Sequence, residues 1–182
     1  MALRSTVYKA ELHVADNDRA YYGSHAVTVA RHPSETDERL MVRLLAYALW
    51  VEADERLVFT RGLSDTDEPD LWNLDLTGAI RQWVEVGLPD ERRLQKACGR
   101  SGQVIVLAYG RGADVWWNGV RNKLGRAANL QVWVLDPEAS RALAALAERN
   151  MSLSVNVTDR TAWVSCERGD VSLDVRCLRE AG

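Results

Sequence analysis

With 182 residues, 47% hydrophobic and 27% charged, the chain can build one ordinary core and is too apolar to be disordered. A formal net charge of −3 and a pI near 5.7 exclude an overall cationic coat for nucleic acid while allowing a local basic groove. No run approaches the roughly 18 apolar residues that span a bilayer, the N-terminus lacks a secretory h-region, and Cys98, Cys166 and Cys177 are too widely spaced for a disulfide framework or zinc knuckle. A reduced, cytoplasmic protein without membrane attachment is expected.

Thr6 to Val14 alternates like a half-buried strand, Asp16-Asn17-Asp18-Arg19 is a polar turn, and Tyr21 to Ala30 returns, which predicts an opening hairpin. His13 and His25 could face each other across it, as surface or packing residues. Ser34, with Asp37 reaching back, predicts the cap of a helix whose inner face carries Leu40, Met41, Leu44, Leu45, Ala48 and Leu49. Glu38 extends that buried stripe by one turn, and Glu35 stands a turn earlier. Leu57 to Thr60 reads as a short strand, followed by an acidic loop from Arg61 to Asp70 that is either a solvated connection or a flap.

The segment Asp75–Gly87 is read as two short strands joined by a tight Thr77-Gly78 bend. Glu85 interrupts the apolar run Trp83-Val84-Glu85-Val86, and a carboxylate in a buried strand must be paired or bind a cation. Pro89-Asp90-Glu91 then opens a helix ended by Gly99 and Gly102, with Leu94, Ala97 and Cys98 inward. Gln103–Tyr109 is a buried strand, Ala113–Arg126 a helix carrying Trp116 and Trp117 among basic residues, Leu130–Leu135 a strand, and Asp136-Pro137 the start of a helix to Arg149. This alternation predicts parallel βαβ pairing. Ser152–Thr158, Thr161–Cys166 and Val171–Cys177 predict a closing antiparallel meander. The chain has seven Trp and one Phe, and most of these indoles are expected in the core.

Three acids stand out: Glu38 on a helix, Asp75 at a strand start and Glu85 inside a strand. Mg²⁺ or Mn²⁺ takes one or two carboxylates together with waters and a substrate phosphate, and a nearby basic group would orient the water. The competing arrangement is structural: Glu85 pairs with Arg92 or Arg93, and Asp75 caps a turn.

The order of these residues resembles the PD-(D/E)XK nuclease superfamily, in which a helix acid precedes an Asp on one strand and a Glu-X-Lys on the next. Gly87 stands where that Lys would be, so the resemblance implies a displaced basic residue, first Lys96, then Arg93 and Arg92. Arg31-His32-Pro33-Ser34-Glu35-Thr36, Phe59-Thr60-Arg61-Gly62-Leu63, Asp67-Glu68-Pro69, Trp83-Val84-Glu85-Val86-Gly87-Leu88-Pro89-Asp90-Glu91-Arg92 and Asn129-Leu130-Gln131-Val132-Trp133 are similar to the bacterial YaeQ family. Together the resemblances imply one domain over residues 1–182. Its fold would be α/β, a mixed β-sheet flanked by helices, with a PD-(D/E)XK-like core and added N- and C-terminal antiparallel strands. They imply Mg²⁺- or Mn²⁺-dependent phosphodiester hydrolysis on DNA or RNA, with Glu38, Asp75 and Glu85 on the metal and Lys96 beside Asp75 and Glu85 in catalysis. The alternative is a non-catalytic module of that fold that binds nucleic acid or a protein partner.

Overall fold

Residues 4–182 are described by a computed structural model. The long opening hairpin forms as its alternation predicts. β1 (Thr6–Asp16) buries Tyr8, Ala10, Leu12 and Val14 and pairs with β2 (Tyr21–Arg31) without a slip from Thr6↔Arg31 to Asp16↔Tyr21. His25 opposes Leu12, whereas His13 opposes Ser24, so the two imidazoles lie on opposite faces of the ribbon. The Tyr21 hydroxyl meets His25 Nε2 at 2.7 Å, and His13 Nδ1 meets the Ser24 hydroxyl at 2.9 Å.

The helix α1 (Asp37–Trp50) buries every residue from Leu40 to Leu49, which makes it the centre of the larger core rather than a one-sided lid. Its cap is Thr36, whose hydroxyl accepts from the Arg39 amide at 3.1 Å, two residues later than the Ser34 cap expected. Ser34 is held by the His32 ring instead, which leaves it unable to serve the helix.

The strands β3 (Leu57–Phe59), β4 (Leu71–Leu74) and β5 (Ile80–Val86) run antiparallel in sequence. From β5 the chain winds through α2 (Glu91–Arg100), β6 (Ser101–Ala108), α3 (Ala113–Val120) and β7 (Leu130–Leu135), with β5, β6 and β7 parallel as expected. After α4 (Pro137–Ala144), β8 (Asn150–Thr158), β9 (Thr161–Cys166) and β10 (Gly169–Arg179) form the antiparallel meander. All of these strands join one mixed sheet in the order β2-β1-β8-β9-β10-β7-β6-β5-β4-β3. β10 is the splice: its first half pairs with β9 and its second half with β7, with a register shift between Cys177 and Arg179. One core lies around α1, and a second lies under α2 and α3.

Two expectations need correction. The helices α3 and α4 stop at Val120 and Ala144, shorter than Arg126 and Arg149, because the chain breaks into turns there. Of the seven indoles only Trp83 is fully buried, and Trp163 is 52% exposed. Most of the others pack at core margins, and two keep an acceptor for the N–H there: Trp116 donates to the Pro89 carbonyl at 2.7 Å and Trp133 to the Gln131 side chain at 3.2 Å.

Candidate functional site

The short strand β4 decides which acids meet. Its register, Leu71↔Val84 through Asn73↔Gln82, sets the preceding residue Asp70 across from Glu85. The Asp70 amide donates to the Val84 carbonyl at 3.0 Å, and the Val86 amide returns a bond to Asp70 Oδ2 at 2.7 Å, so this carboxylate closes the end of β5. Pro69 ends the loop just before it, as proline does at strand starts. Both acids are buried, Asp70 at 2% exposure and Glu85 at 4%.

Each carboxylate is gripped by an arginine. Arg39, on the first turns of α1, donates to Asp70 Oδ1 at 2.6 Å and to Glu35 Oε1 at 3.0 Å. Glu35 is then closed by a two-pronged pair with Arg43, at 2.7 Å on both oxygens. Arg93, on α2, donates from Nε to Glu85 Oε1 at 2.7 Å, and its remaining nitrogens hold the Thr66 and Glu68 carbonyls of the preceding loop. That loop is therefore tied to α2 through hydrogen bonds from Arg93 to its backbone. The same Glu85 oxygen accepts from the Trp83 indole at 2.8 Å, while among the described residues nothing bonds Oε2. Burial, and then the charge of Asp70, push Glu85 up to about 7 even though Arg93 and Trp83 pull the other way.

These groups line a cavity of about 510 Å³ bounded by Arg39, Asp70, Glu85, Gly87, Arg93 and Tyr109. It lies beyond the carboxyl ends of the parallel strands β5 and β6, where open α/β sheets place their ligands. The Tyr109 hydroxyl is held protonated beyond its usual range, mainly by burial.

Among the three acids expected to act together, only Glu85 is here. Asp75 follows β4 instead of starting a strand, and lies about 15 Å from Asp70 at the rise of an extended chain. Its Oδ1 takes the Thr77 amide and hydroxyl at 2.7 and 2.6 Å and the Ala79 amide at 3.0 Å, so it caps the β4–β5 turn. Glu38 turns toward α4 and accepts from the Ser140 hydroxyl at 2.7 Å. Lys96 is exposed and pairs with Asp67 at 2.9 Å; Arg93, one turn earlier on α2, is the basic residue that reaches Glu85. Gly87 has φ +108, and nothing lies within 4 Å of where its Cβ would be. A lysine is therefore opposed there by backbone conformation, not by space. The missed residues were Asp70, Arg39 and Arg43. The available signal was Pro69-Asp70 immediately ahead of the apolar Leu71 and Trp72, which marks a strand start four residues before Asp75.

Among the described residues, no three or more His, Cys, Asp or Glu side chains converge as a metal cluster. A cation here would rest on the Asp70 and Glu85 pair, which suits Mg²⁺ or Mn²⁺, ions content with two carboxylates plus waters and phosphate oxygens. The mutual charge of the pair and the unbonded Glu85 Oε2 fit such an ion.

The family described as YaeQ protein matches residues 1–175. A relative from Salmonella typhi, called uncharacterized protein YaeQ, is 46% identical over 182 residues, with 99% of each chain covered. The Escherichia coli (strain K12) protein of the same name is 44% identical, again with 99% of each covered. The crystal structure of YaeQ protein from Xanthomonas axonopodis pv. citri superposes with a TM-score of 0.92 at 48% identity, covering 96% of this chain and 98% of that one. That from Pseudomonas syringae gives 0.91 at 40% identity, with 98% of each covered.

Proposed function

The chain belongs to the YaeQ family, and on that premise we propose that the Asp70–Glu85 cavity is a variant PD-(D/E)XK site for metal-dependent phosphodiester hydrolysis on DNA or RNA. The observation that carries this reading is the pair itself. Two buried acids from facing strands open onto one cavity, and one remains raised to about 7 despite an arginine 2.7 Å away. Structural ion pairs usually depress a carboxylate; here burial, and then the Asp70 charge, outweigh the pull of Arg93. Asp70 and Glu85 would hold Mg²⁺ or Mn²⁺, which when bound would neutralise a phosphate and lower the pKa of a water.

The chain's own groups do the remaining work. Arg93 offers the cationic donor that the motif lysine supplies elsewhere, from α2 in place of position 87. Arg39 fixes Asp70 and is itself fixed by Glu35, so this acid just ahead of α1 acts through an arginine and not on the metal. Glu85, raised to about 7 without an ion, would give up its proton on taking the metal, so binding there would strengthen as the pH rises through that value.

A specific observation favours the second reading. Arg39 and Arg93 balance the acids already, and a cavity so neutralised suits a non-catalytic module that holds nucleic acid or a protein partner. Calorimetric titration with Mn²⁺, together with cleavage assays on mixed DNA and RNA, separates the two. Hydrolysis is expected to vanish, along with Mn²⁺ binding, in Asp70→Asn/Glu85→Gln and to persist in Lys96→Ala. Mn²⁺ binding without cleavage supports the module, and a wild type that binds no Mn²⁺ at millimolar concentration overturns the metal site.

A further inference from the structure

A second cavity, about 530 Å³, lies at the amino ends of the same parallel strands, beside the last turn of α1. Its size falls within the roughly 300–1,000 Å³ of small-molecule pockets. One wall is the Trp50–Trp133 pair, whose ring centres are 6.5 Å apart and tilted by 55°. On the same sheet face as Trp133 stands a row of amides, Gln82, Gln103 and Gln131, one on each of β5, β6 and β7. Amides on a sheet face that elsewhere packs Val84, Ile105 and Leu135 interrupt the core pattern and call for a reason.

Which of the polar groups remain free decides what the pocket can read. Asp16 is spent on Arg19 at 2.6 Å. Glu52 is spent on Gln82 at 3.2 Å and Arg81 at 3.4 Å. Gln131 uses its carbonyl on the Trp133 indole at 3.2 Å, leaving its amino group as a donor. Among the described residues nothing bonds the Gln103 carboxamide, so it offers a donor and an acceptor side by side. The rim is built with care. Asp159 and Arg160, both with positive φ (51° and 61°), form the β8–β9 turn, and Asp18 accepts both of their amides at 2.8 Å. Both residues take the positive φ that a two-residue hairpin turn requires, and Asp18 holds them there. The result is that the Arg160 guanidinium lies 5.5 Å over the Trp133 ring.

We propose that this pocket binds a nucleobase, stacked on the Trp50–Trp133 pair and read along its edge by the Gln103 carboxamide. A flat ring can lie face-on to one indole and edge-on to the other. A glutamine amide makes two bonds to the adjacent donor and acceptor of a base edge. The carboxylates of Asp16, Asp18 and Glu52 are already engaged, while the free groups on the sheet face are amides. The base can come from a free nucleoside or from an unpaired nucleotide of a strand. The site owes nothing to the Asp70–Glu85 reading and stands if that one fails.

The test is calorimetry and Trp fluorescence on the full chain, using adenosine, guanosine, cytidine and uridine, their 5′-monophosphates, and single-stranded hexanucleotides. At least one base is expected to bind and quench fluorescence, and Gln103→Ala is expected to weaken it tenfold or more. Arg160→Gly is the second variant, because glycine accepts the turn's backbone at no steric cost and the protein stays folded. It should lose affinity with its melting temperature unchanged or raised. Tighter binding of the nucleosides identifies the free molecule as ligand, and tighter binding of the hexanucleotides identifies a strand. No binding of any probe at millimolar concentration, or affinity unchanged in both variants, overturns the proposal.

Discussion

The two aspartates that bracket β4 put the same carboxylate to different uses. Asp70, 2% exposed, meets an amide and the Glu85 charge of β5 and an arginine of α1, so two separate elements converge on it. Asp75, four strand residues later, bonds only to Thr77 and Ala79 of its own turn. One organises tertiary structure and the other organises five residues. The difference lies in what each strand end faces: the cavity beyond the carboxyl end of β5, or open solvent beyond a hairpin. A carboxylate takes on a role from the groups its backbone position lets it reach, and sequence order says little about which.

The comparison breaks most forcefully at Asp70. Replacing it by alanine strands the Val86 amide and leaves Arg39 with Glu35 alone. Breaking a buried pair by removing one partner costs about 3–5 kcal/mol. Asp70→Ala is therefore expected to lose that much in urea denaturation, near the lower figure because Glu35 still holds Arg39. A loss below about 1 kcal/mol, the worth of an ordinary hydrogen bond, would show that Asp70 is no better connected than Asp75.

Glu85 sharpens the contrast through pH. Its carboxyl is raised from 4.5 to about 7 in the folded protein, so between those values the native state holds a proton that the unfolded chain has released. Stability must then fall as pH rises through that window and level off above it. A shift of this size corresponds to at most about 3 kcal/mol. Glu85→Gln, which keeps the shape and never ionises, is expected to remove that part of the slope, so the variant gains on the wild type between pH 5 and pH 8. Parallel curves for the two proteins, measured by urea denaturation at each pH, would show that Arg93 fully compensates the buried charge.

Much of the architecture was legible from the chain. The opening hairpin, the parallel β5–β6–β7 run and the closing meander each follow from period-2 patterning and turn residues that act locally. The pairing of Glu85 with an α2 arginine was also readable as an alternative. Misplacing Asp75 has a physical source. β4 is only four residues long, with Asn73 buried among its apolar neighbours, so alternation could not fix its start, and the turn that sets its register lies outside it. Choosing Lys96 over Arg93 failed for a related reason. The two are a turn apart on α2, and which one reaches β5 depends on the helix's rotation on the sheet, a tertiary quantity that charge patterning does not carry.

Asp75 itself supplies the mildest test, and its sign is opposite to that of Glu85. The Thr77 hydroxyl, then the Thr77 and Ala79 amides, hold its carboxyl below the usual 3.8. A depressed carboxyl contributes stability that is complete above its unfolded value and disappears as pH falls through the folded one. Asp75→Ala is therefore expected to melt about 2–4 °C lower at pH 7, the shift a lost turn cap gives in a chain of this length. That deficit should begin to close as the pH drops below 3.8 and be gone once it has passed the lower folded value, where the native wild-type side chain is protonated too. Its Mn²⁺ titration and its behaviour between pH 5 and pH 8 should match the wild type. A changed Mn²⁺ isotherm in Asp75→Ala would return this aspartate to the metal site and undo the assignment of Asp70 in its place.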